Sequence, residues 1–371
     1  MKICLLSERL APPLDEGFKN TAIHLKDALA AQHEVLGLTC FGQDIPEHDI
    51  INVPANRLLL SLPLWRAIAR FAPEIVYYIP TASATLPSLL RARLLRLYAR
   101  SGRSQGKVVL VALQPRMPSP RPLPLGEGWG EGGTRWLVRA LAPDLILLPS
   151  RQVAELLPPL GCPVAFIPLG VDLVRFKPGK AAAKAGLRRK YGLAEQSWVL
   201  LHVGHIKRER NVQVLAHLQA TLGCQVLLVG SSSTQQEVEL VAELKKAGIM
   251  VITEFIPIIE AYHLADGYIF PTFADGAAIG IPLSVLEAMA CNLPVVSTPF
   301  GGLPQLFAEQ PENGFWYAEC DKELAVHVSQ MRELPNANTR AMVAPYGWPQ
   351  VADLILAKTR AGLGWRNDER R

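Results

Sequence analysis

Residues 267–307, GYIFPTFADGAAIGIPLSVLEAMACNLPVVSTPFGGLPQLF, decide the fold of this chain. GYIFPT is a short apolar run that ends near a proline and predicts a buried strand. A loop with two glycines follows, and residues 283–290 form a run of good helix formers that Asn292 and Pro294 can close. PVVST predicts a second strand, and the next two glycines predict a turn. The stretch is therefore a βαβ unit whose glycine-containing loop opens the helix, where backbone N–H groups and the helix dipole can hold an anion.

This stretch resembles the sugar-donor loop of the retaining glycosyltransferases of family 4, which have the GT-B fold. The matching residues are Gly280, Pro282, Leu286, Glu287-Ala288-Met289-Ala290, Pro294-Val295-Val296 and Gly301-Gly302. The resemblance implies an α/β protein of two Rossmann-like parallel-sheet domains facing a cleft. The family usually has a further glutamate eight residues before Glu287, and this chain departs from it there with Ile279.

Apolar runs alternate with helical patterns along the rest of the chain. The runs are KICLLS (2–7), EIVYYIP (74–80), KVVLVAL (107–113), LILLPS (145–150), SWVLLHVG (197–204), QVLLVG (225–230) and MVITE (250–254). Strands of unbroken Val, Ile and Leu are typical of parallel sheets that helices cover on both faces. In such sheets, ligands bind beyond the carboxyl ends of the strands.

The domain boundaries follow from composition and from the resemblance. VAFIPLGVDLVRFKP (164–178) resembles the inter-domain segment of the same family, and residues 179–196 are rich in Lys, Ala and Gly. Tyr346-Gly347-Trp348 opens a last helix, which in the family crosses back to the first domain. We predict an N-terminal acceptor-side domain (1–172), a linker (173–196), a C-terminal nucleotide-sugar domain (197–345), and a crossing helix with a tail (346–371).

Residues 116–133, RMPSPRPLPLGEGWGEGG, interrupt the N-terminal domain. Half of them are Pro or Gly, and neither a helical nor a strand period fits. Such a segment cannot bury enough apolar surface to order itself. It also looks like the translation of a bacterial intergenic repeat. We therefore predict a disordered insertion without a function, with a working acceptor-side loop as the alternative.

The composition is that of a globular protein. The chain has 371 residues, 49% hydrophobic and 19% charged, enough for two domains with their own cores. No run of about 18 uncharged apolar residues occurs, and the apolar run after Lys2 is too short for a signal peptide. The six cysteines are scattered without a CxxC pair, which favours buried thiols over a zinc site. We therefore expect a cytoplasmic protein without a metal site.

Positive charge is concentrated in one part of the chain, whose net charge is +5 overall. From Arg57 to Arg139, thirteen Lys and Arg residues stand against three acids, which gives this part +10 and the remainder −5. A basic amphipathic helix is predicted around residues 90–103. It predicts either a solvated face or contact with anionic lipid, which would place the protein peripherally on the inner face of the plasma membrane. No recognition motif supports nucleic acid as a partner.

A basic cluster follows the first strand of the C-terminal domain, in LHVGHIKRERNV (201–212). A diphosphate needs cations that reach several oxygens, and arginine suits this best. In the family, an arginine just after the strand-ending glycine, here Gly204, and a lysine five residues later hold the donor diphosphate. These positions are His205 and Arg210, so Arg210 keeps the positive charge and His205 keeps it only in part near neutral pH. A solvated face is the alternative for both side chains.

The resemblance also implies the rest of the donor site. Glu287 would accept hydrogen bonds from the ribose hydroxyls of the nucleotide, although a carboxylate early in a helix can also simply favour the helix dipole. Glu260, Tyr262 and Asp266 belong to a helix that we interpret as structural. The other donor-binding candidates are Gly17 in the first loop, Phe255 and Ile256 beside the base, and Gly280, Ile281, Pro282 and Leu283 beside the diphosphate and sugar.

Two catalytic positions of the family are substituted. Ile279 replaces a glutamate, with Asp275 as the nearest acid, and Gln114 stands where a histidine is frequent. No Asp-x-Asp triplet occurs, which favours a metal-independent mechanism in which arginine and helix N-termini carry the charge of the leaving group. We expect no cofactor, since the nucleotide sugar is the donor substrate.

The sequence leaves three functions open. The first is a hexosyltransferase that moves a hexosyl group, with retention, from a nucleotide-sugar donor to a lipid-linked or polysaccharide acceptor. The second is a catalytically degenerate relative that binds a nucleotide sugar or a partner without transfer, which the two substitutions and the insertion favour. A sugar-nucleotide epimerase of the same architecture is a third option.

Overall fold

The structure is a computed structural model and describes residues 1–81, 85–101, 105–114, 140–151, 154, 161–232 and 236–365. The chain divides into two compact units. Unit 1 comprises Met1–Leu169 and Trp348–Arg371, and unit 2 comprises Gly170–Gly347. Each unit is built on one parallel sheet with helices, which confirms the predicted class of two Rossmann-like α/β domains. The predicted insertion, 116–133, lies outside the described residues.

The described residues of unit 1 contain a seven-stranded sheet. Its strands are β1 (Lys2–Ser7), β2 (Glu34–Thr39), β3 (Ile50–Asn52), β4 (Ile75–Ile79), β5 (Lys107–Val111), β6 (Leu145–Leu148) and β7 (Val164–Phe166). They lie in the order β3-β2-β1-β4-β5-β6-β7, and every neighbouring pair is parallel. Its helices include α1 (Gly17–Ala30), α2 (Leu62–Phe71), α3 (Leu86–Arg100) and the C-terminal helix (Trp348–Gly362). The carboxyl ends of all these strands therefore share one edge of the sheet.

Helices cover both faces of this sheet. Alternate residues of each strand point to opposite faces, so neighbouring residues of one strand contact helices on different sides. On one face, Tyr78 of β4 shares a buried apolar cluster with Leu64 of α2 and Leu89 of α3. On the other face, Tyr77 donates a hydrogen bond of 2.9 Å to Thr359 of the C-terminal helix. α1 packs beside that helix, which therefore belongs to unit 1.

Three arginines of α3 form ion pairs inside unit 1. Arg91 contacts the buried Glu8 at 2.5 Å, and Arg96 and Arg100 both reach Asp144, at 2.8 and 3.3 Å. From the sequence we expected these arginines on a helix face exposed to solvent or to lipid. The structure corrects this expectation for the three, because each forms an ion pair within unit 1. Their acidic partners lie beside the distant strands β1 and β6, and helical spacing cannot reveal such contacts.

Unit 2 contains a six-stranded sheet. Its strands are β8 (Val199–Val203), β9 (Gln225–Val229), β10 (Met250–Ile252), β11 (Gly267–Phe270), β12 (Val295–Ser297) and β13 (Phe315–Tyr317). They lie in the order β10-β9-β8-β11-β12-β13, all parallel. The helices are α4 (Ala181–Lys190), α5 (Val214–Leu222), α6 (Val238–Lys246), α7 (Ile258–Leu264), α8 (Leu283–Ala290), α9 (Leu303–Leu306), α10 (Asp321–Glu333) and α11 (Thr339–Val343). Among the described residues of the chain, no helix is both long enough and apolar enough to cross a bilayer.

The βαβ unit predicted from residues 267–307 is present as β11, α8 and β12. Asn292 follows α8 in the left-handed conformation, with φ of 60°, and its side chain donates to the carbonyl of Ala337 at 2.9 Å. The predicted end of the helix is therefore confirmed. Because β9 and β11 lie on opposite sides of β8, the strand order reverses at β8, which is where parallel sheets bind ligands.

Ten residues of the predicted linker, 173–196, form helix α4 of unit 2. Residues of α4 are good helix formers, and two of its cations reach one acid. Lys184 contacts Asp266 at 2.6 Å, and Arg188 donates to the other oxygen of the same carboxylate. Asp266 also accepts the backbone N–H of Val199 at the start of β8. The segment interpreted as a linker therefore helps to hold Asp266 against the start of β8, in agreement with the structural role expected for Asp266.

Candidate functional site

The candidate site begins where β8 ends. Gly204 follows the strand, and its N–H donates to the carbonyl of Val229 at the end of β9, at 3.0 Å. A Cβ atom at this position would lie 2.5 Å from a terminal nitrogen of the Arg210 guanidinium. Any side chain larger than that of glycine would therefore push the guanidinium away from the strand end. The absence of a side chain at Gly204 therefore lets the Arg210 guanidinium lie close to the strand end.

Arg210 is a buried cation without an acidic partner among the described residues. Within the described residues, its side chain makes one hydrogen bond, from Nε to the carbonyl of Ala277 at 2.9 Å, and the residue is 9% exposed. The adjacent Glu209 is exposed and pairs with Lys207 instead. Burial lowers the pKa of Arg210 to about 10, so the guanidinium keeps its charge at neutral pH. A buried charge normally has a partner, and an anionic ligand would supply one.

His202 is a second buried polar residue at this strand end. Its Nδ1 lies 2.9 Å from the carbonyl of Ile269 and must carry the proton, because a carbonyl oxygen only accepts. Nε2 is then an acceptor, and no donor reaches it within the described part of the chain. Burial, with a contribution from Arg210, lowers the pKa of His202 to about 4. The imidazole is therefore neutral, and the sequence analysis did not single it out.

The glycines at 301 and 302 hold the loop that leads to α8. Gly301 has φ of +56°, and a Cβ there would lie 2.2 Å from the carbonyl oxygen of Gly280. The N–H of Gly302 donates to that same oxygen at 2.7 Å. The turn after β12 therefore packs directly on the loop before α8. This contact needs glycine at 301 both for its φ and for the space.

The predicted diphosphate and sugar contacts around Ile281 can come only from the backbone. Ile279, Ile281 and Leu283 are buried apolar side chains that anchor the loop in the core. Pro282 precedes the first helical residue and has no N–H to donate. The substituted position Ile279 therefore offers no polar group, and Asp275 lies on an exposed part of the loop.

Glu287 and Tyr262 form a pair on neighbouring helices. The Tyr262 hydroxyl donates to Oε2 of Glu287 at 2.7 Å. No donor among the described residues reaches Oε1. Burial raises the pKa of the Glu287 carboxyl, and the bond from Tyr262 and the charge of Arg175 oppose this shift. One carboxylate oxygen is thus fixed by the protein, and the other remains available to a ligand.

Tyr262 was interpreted as structural from the sequence, and the structure shows that it also orients a site residue. It lies on α7, is almost fully buried, and packs edge-on against Phe176 at 5.7 Å. The contact with Glu287 spans 25 positions along the chain. No local pattern marks it, because the apolar surroundings of Tyr262 in α7 are those of any buried helical residue. Glu260, by contrast, pairs with Lys190 of α4 and is structural as expected.

The remaining predicted residues are dispersed. Phe255 is exposed and Ile256 half-buried after β10, and His205 is half-buried next to Gly204. Gly17 is the first residue of α1, and Gln114 lies beyond the end of β5, so both belong to unit 1. The structure therefore brings together Gly204, Arg210 and the loop before α8 within unit 2. Among the described residues, no group of three or more His, Cys, Asp or Glu side chains could hold a metal ion.

Residues 197–333, all in unit 2, match the family of glycosyl transferases group 1. The chain therefore contains a domain of this family. It is 30% identical over 221 residues to a D-inositol 3-phosphate glycosyltransferase of Segniliparus rotundus, covering 53% of this chain and 46% of that protein. It is 25% identical over 253 residues to Sulfoquinovosyl transferase SQD2 of Arabidopsis thaliana, covering 62% and 49%. The chain thus spans about half the length of these curated relatives.

Solved structures resemble the whole chain. A sucrose-phosphate synthase from Thermosynechococcus elongatus superposes with a TM-score of 0.71 at 18% identity, covering 99% of this chain and all of that one. Anabaena HepE, solved in complex with UDP-glucose, has a TM-score of 0.70 at 17% identity, with 97% of this chain covered. At such identities the likeness shows the fold alone. That fold is the GT-B fold of two Rossmann-like domains.

Proposed function

We propose that the protein is a glycosyltransferase that moves a hexosyl group from a nucleotide-sugar donor, with retention and without a metal ion. The observation that carries this proposal is Arg210, a buried cation beside Gly204 with no acidic partner in the described part of the chain. A donor diphosphate would provide the missing negative charge. The group 1 domain over residues 197–333 supports the same class of reaction.

The proposed reaction needs positive charge where the diphosphate departs. The bond between the sugar anomeric carbon and the diphosphate oxygen breaks, and the electron pair leaves with the diphosphate. The acceptor oxygen bonds to the anomeric carbon on the same face, and its proton passes to a departing phosphate oxygen. Arg210 and backbone N–H groups of the loop before α8 would stabilise the negative charge that develops, because preformed donors in a buried site act strongly.

Glu287 would hold the ribose of the donor. Its free oxygen Oε1 can accept a hydroxyl proton, and Tyr262 fixes the carboxylate through Oε2. The carboxylate accepts best when ionised, so the proposal requires the pH to lie above its raised pKa. The exposed Phe255 offers an aromatic face for the base.

A donor-binding protein without transfer activity is the second candidate, and Ile279 favours it. This side chain is buried and apolar where the resembling family has a glutamate. Gln114 likewise cannot shuttle a proton. In a reaction without a protein nucleophile neither group is indispensable, and for this reason we propose the enzyme first.

For the acceptor we propose a lipid-linked or saccharide hydroxyl compound. The name of one relative, a D-inositol 3-phosphate glycosyltransferase, adds a phosphorylated polyol as an acceptor to be compared. We propose a cytoplasmic location, with peripheral binding to the inner face of the plasma membrane.

Calorimetry with a panel of nucleotide sugars tests the proposal. The full chain should bind one donor of the panel, and Arg210→Met should remove that binding while the variant stays folded. Donor turnover is then measured with lipid-linked, saccharide and inositol-phosphate acceptors, and the anomeric configuration of the product is read by NMR. Binding without turnover would establish the second candidate. Absence of binding to every donor in the panel would exclude both.

A further inference from the structure

We propose that one face of unit 1 binds anionic membranes: the outer side of residues 57–70 together with Leu90, Arg93 and Leu97 of α3, here called the apolar-basic face. Large apolar side chains are exposed along it, among them Leu97, which is 55% exposed. Arginines lie between them. The face differs from the one expected from sequence, which was centred on the arginines of α3.

A tight turn presents two leucines to the solvent. The Oδ1 atom of Asn56 accepts the backbone N–H groups of Leu58 and Leu60, at 3.0 and 2.9 Å. Leu59 between them is buried and has φ of +64°, a conformation that costs energy in a residue with a side chain. Leu58 and Leu60 consequently point outward and are 47% and 52% exposed. The turn thus holds leucines where contact with water alone would favour polar residues.

α2 continues this face. Ser61 caps the helix by accepting the N–H of Leu64, and the helix buries Leu64 and Ile68 against the sheet. The opposite side of the helix therefore turns away from the core and carries Trp65 and Arg66, both exposed. Tryptophan with apolar neighbours and a nearby cation is typical of a surface that enters the interface of a bilayer.

Hydrogen bonds hold the segment against α3. The guanidinium of Arg91 donates to the carbonyl of Arg57 at 2.7 Å, and the Tyr98 hydroxyl donates to the carbonyl of Leu59 at 3.1 Å. The Trp65 indole donates to the Ser101 hydroxyl at 2.6 Å. These bonds join the turn, α2 and α3 into one supported surface.

The charge of the face selects an anionic partner. Arg57, Arg66 and Arg70 are exposed, Arg93 is half-buried, and none forms an ion pair with an acid among the described residues. No Asp or Glu occurs in residues 50–73 or in α3. Arg91, which does have an acidic partner, is less exposed, with 17% of its side chain accessible. Unpaired arginines can extend to lipid phosphates while leucines and tryptophan enter the boundary region, and this combination favours a bilayer over a soluble protein.

The inference deepens the proposed function and rests on it for its biological meaning, since a bilayer would present a lipid-linked acceptor to unit 1. Vesicle binding itself needs no donor. Failure of this inference can therefore be told apart from failure of the proposed function, because donor binding to unit 2 is measured on the same protein samples.

Co-sedimentation of the full chain with vesicles is the experiment. Vesicles of phosphatidylcholine alone are compared with vesicles that also contain phosphatidylglycerol, at low and high salt. We expect binding to the anionic vesicles only, with loss at high salt because salt screens the attraction. The triple variant Arg57→Gln, Arg66→Gln, Arg70→Gln should weaken binding about 100-fold, from about five-fold per arginine. The double variant Leu58→Ser, Leu60→Ser should weaken it without changing the salt dependence.

A matched control keeps the net charge equal. The triple variant Lys245→Gln, Lys246→Gln, Lys322→Gln removes three exposed cations of unit 2 and should bind vesicles like the unmodified chain. Equal loss in both triple variants would overturn the proposal in favour of net charge alone. Equal binding to both vesicle types, or no binding at all, would also overturn it. If the arginine variant changed the oligomeric state instead, the face would be an interface between two copies.

Discussion

The first strand of each unit ends beside a buried charge, and the two charges have opposite surroundings. In unit 1, Glu8 follows β1 and accepts hydrogen bonds from Tyr78, Thr81 and Arg91. In unit 2, Arg210 lies against the glycine after β8 and has one carbonyl contact and no acid among the described residues. Near the end of its first strand, unit 1 thus holds a charge within a hydrogen-bonded network, and unit 2 holds a cation without an ion pair among the described residues.

This difference separates a structural charge from a binding charge. A buried ion pair whose remaining atoms are satisfied resists the loss of either partner, since the other would stay buried and unpaired. A buried cation without a counter-ion destabilises the free protein and gains a partner when an anion binds. The two charges should therefore respond to neutral substitutions with opposite signs, and the predictions below test this.

The largest expected effect is on Glu8. Glu8→Gln leaves the half-buried Arg91, whose side chain is 17% exposed, without its acid. The free energy of unfolding should fall by up to about 3–5 kcal/mol, the range for a fully buried pair. Chemical denaturation measures this change. Glu195→Gln is the control, because it breaks the exposed pair with Arg189, which should contribute only about 0–1 kcal/mol. A loss for Glu8→Gln no larger than that of the control would mean that the hydrogen-bonded network does not stabilise unit 1.

The next effect concerns Glu287 and has opposite signs for binding and stability. Glu287→Gln should weaken donor binding by about 1.5–3 kcal/mol, the range for hydrogen bonds to charged groups. Because the folded-state pKa of this carboxyl is raised, its ionisation destabilises the free protein as pH rises through that pKa. The substitution should therefore raise the melting temperature at neutral pH. Glu239→Gln, at an exposed position of α6, is the control. Unchanged donor affinity in Glu287→Gln would remove Glu287 from the site.

The smallest effect is a shift in the pH dependence of donor affinity when Tyr262 is replaced. Donor affinity should fall as the pH is lowered through the raised pKa of Glu287, since the protonated carboxyl is a poorer acceptor. Tyr262→Phe removes the hydrogen bond that opposes this rise, so the midpoint should move to higher pH, with an affinity loss of about 0.5–1.5 kcal/mol at neutral pH. A uniform loss of affinity with an unmoved midpoint would mean that Tyr262 acts only through packing.

The βαβ unit of residues 267–307 could be predicted because its signals are local. Proline and glycine mark the ends of each element, and Asn292 ends α8 in the left-handed conformation that its side chain tolerates. The resemblance suggested a diphosphate-binding role for Arg210, but the approach of its guanidinium to Gly204 was not predicted. Its geometry depends on a six-residue loop whose path no pattern describes.

The contacts that could not be predicted join distant parts of the chain. The pairing of Arg91 with Glu8 spans 83 positions, and that of Arg188 with Asp266 spans 78. In both cases composition indicated a solvated segment, because a run of basic residues has the same periodicity whether or not an acid faces it. The hydrogen bond from Tyr262 to Glu287 could not be predicted for the same reason, because each residue suits the pattern of its own helix without the other.

The central claim is that Arg210 is the buried counter-charge of a donor diphosphate, and one calorimetric comparison tests it most directly. The affinities of the donor's nucleoside and nucleoside diphosphate are measured for the unmodified chain and for Arg210→Met. We predict that the variant loses about 2–5 kcal/mol of diphosphate binding, keeps its nucleoside affinity, and melts at the same or a higher temperature. A folded Arg210→Met variant that binds the diphosphate as tightly as the unmodified chain would contradict the account.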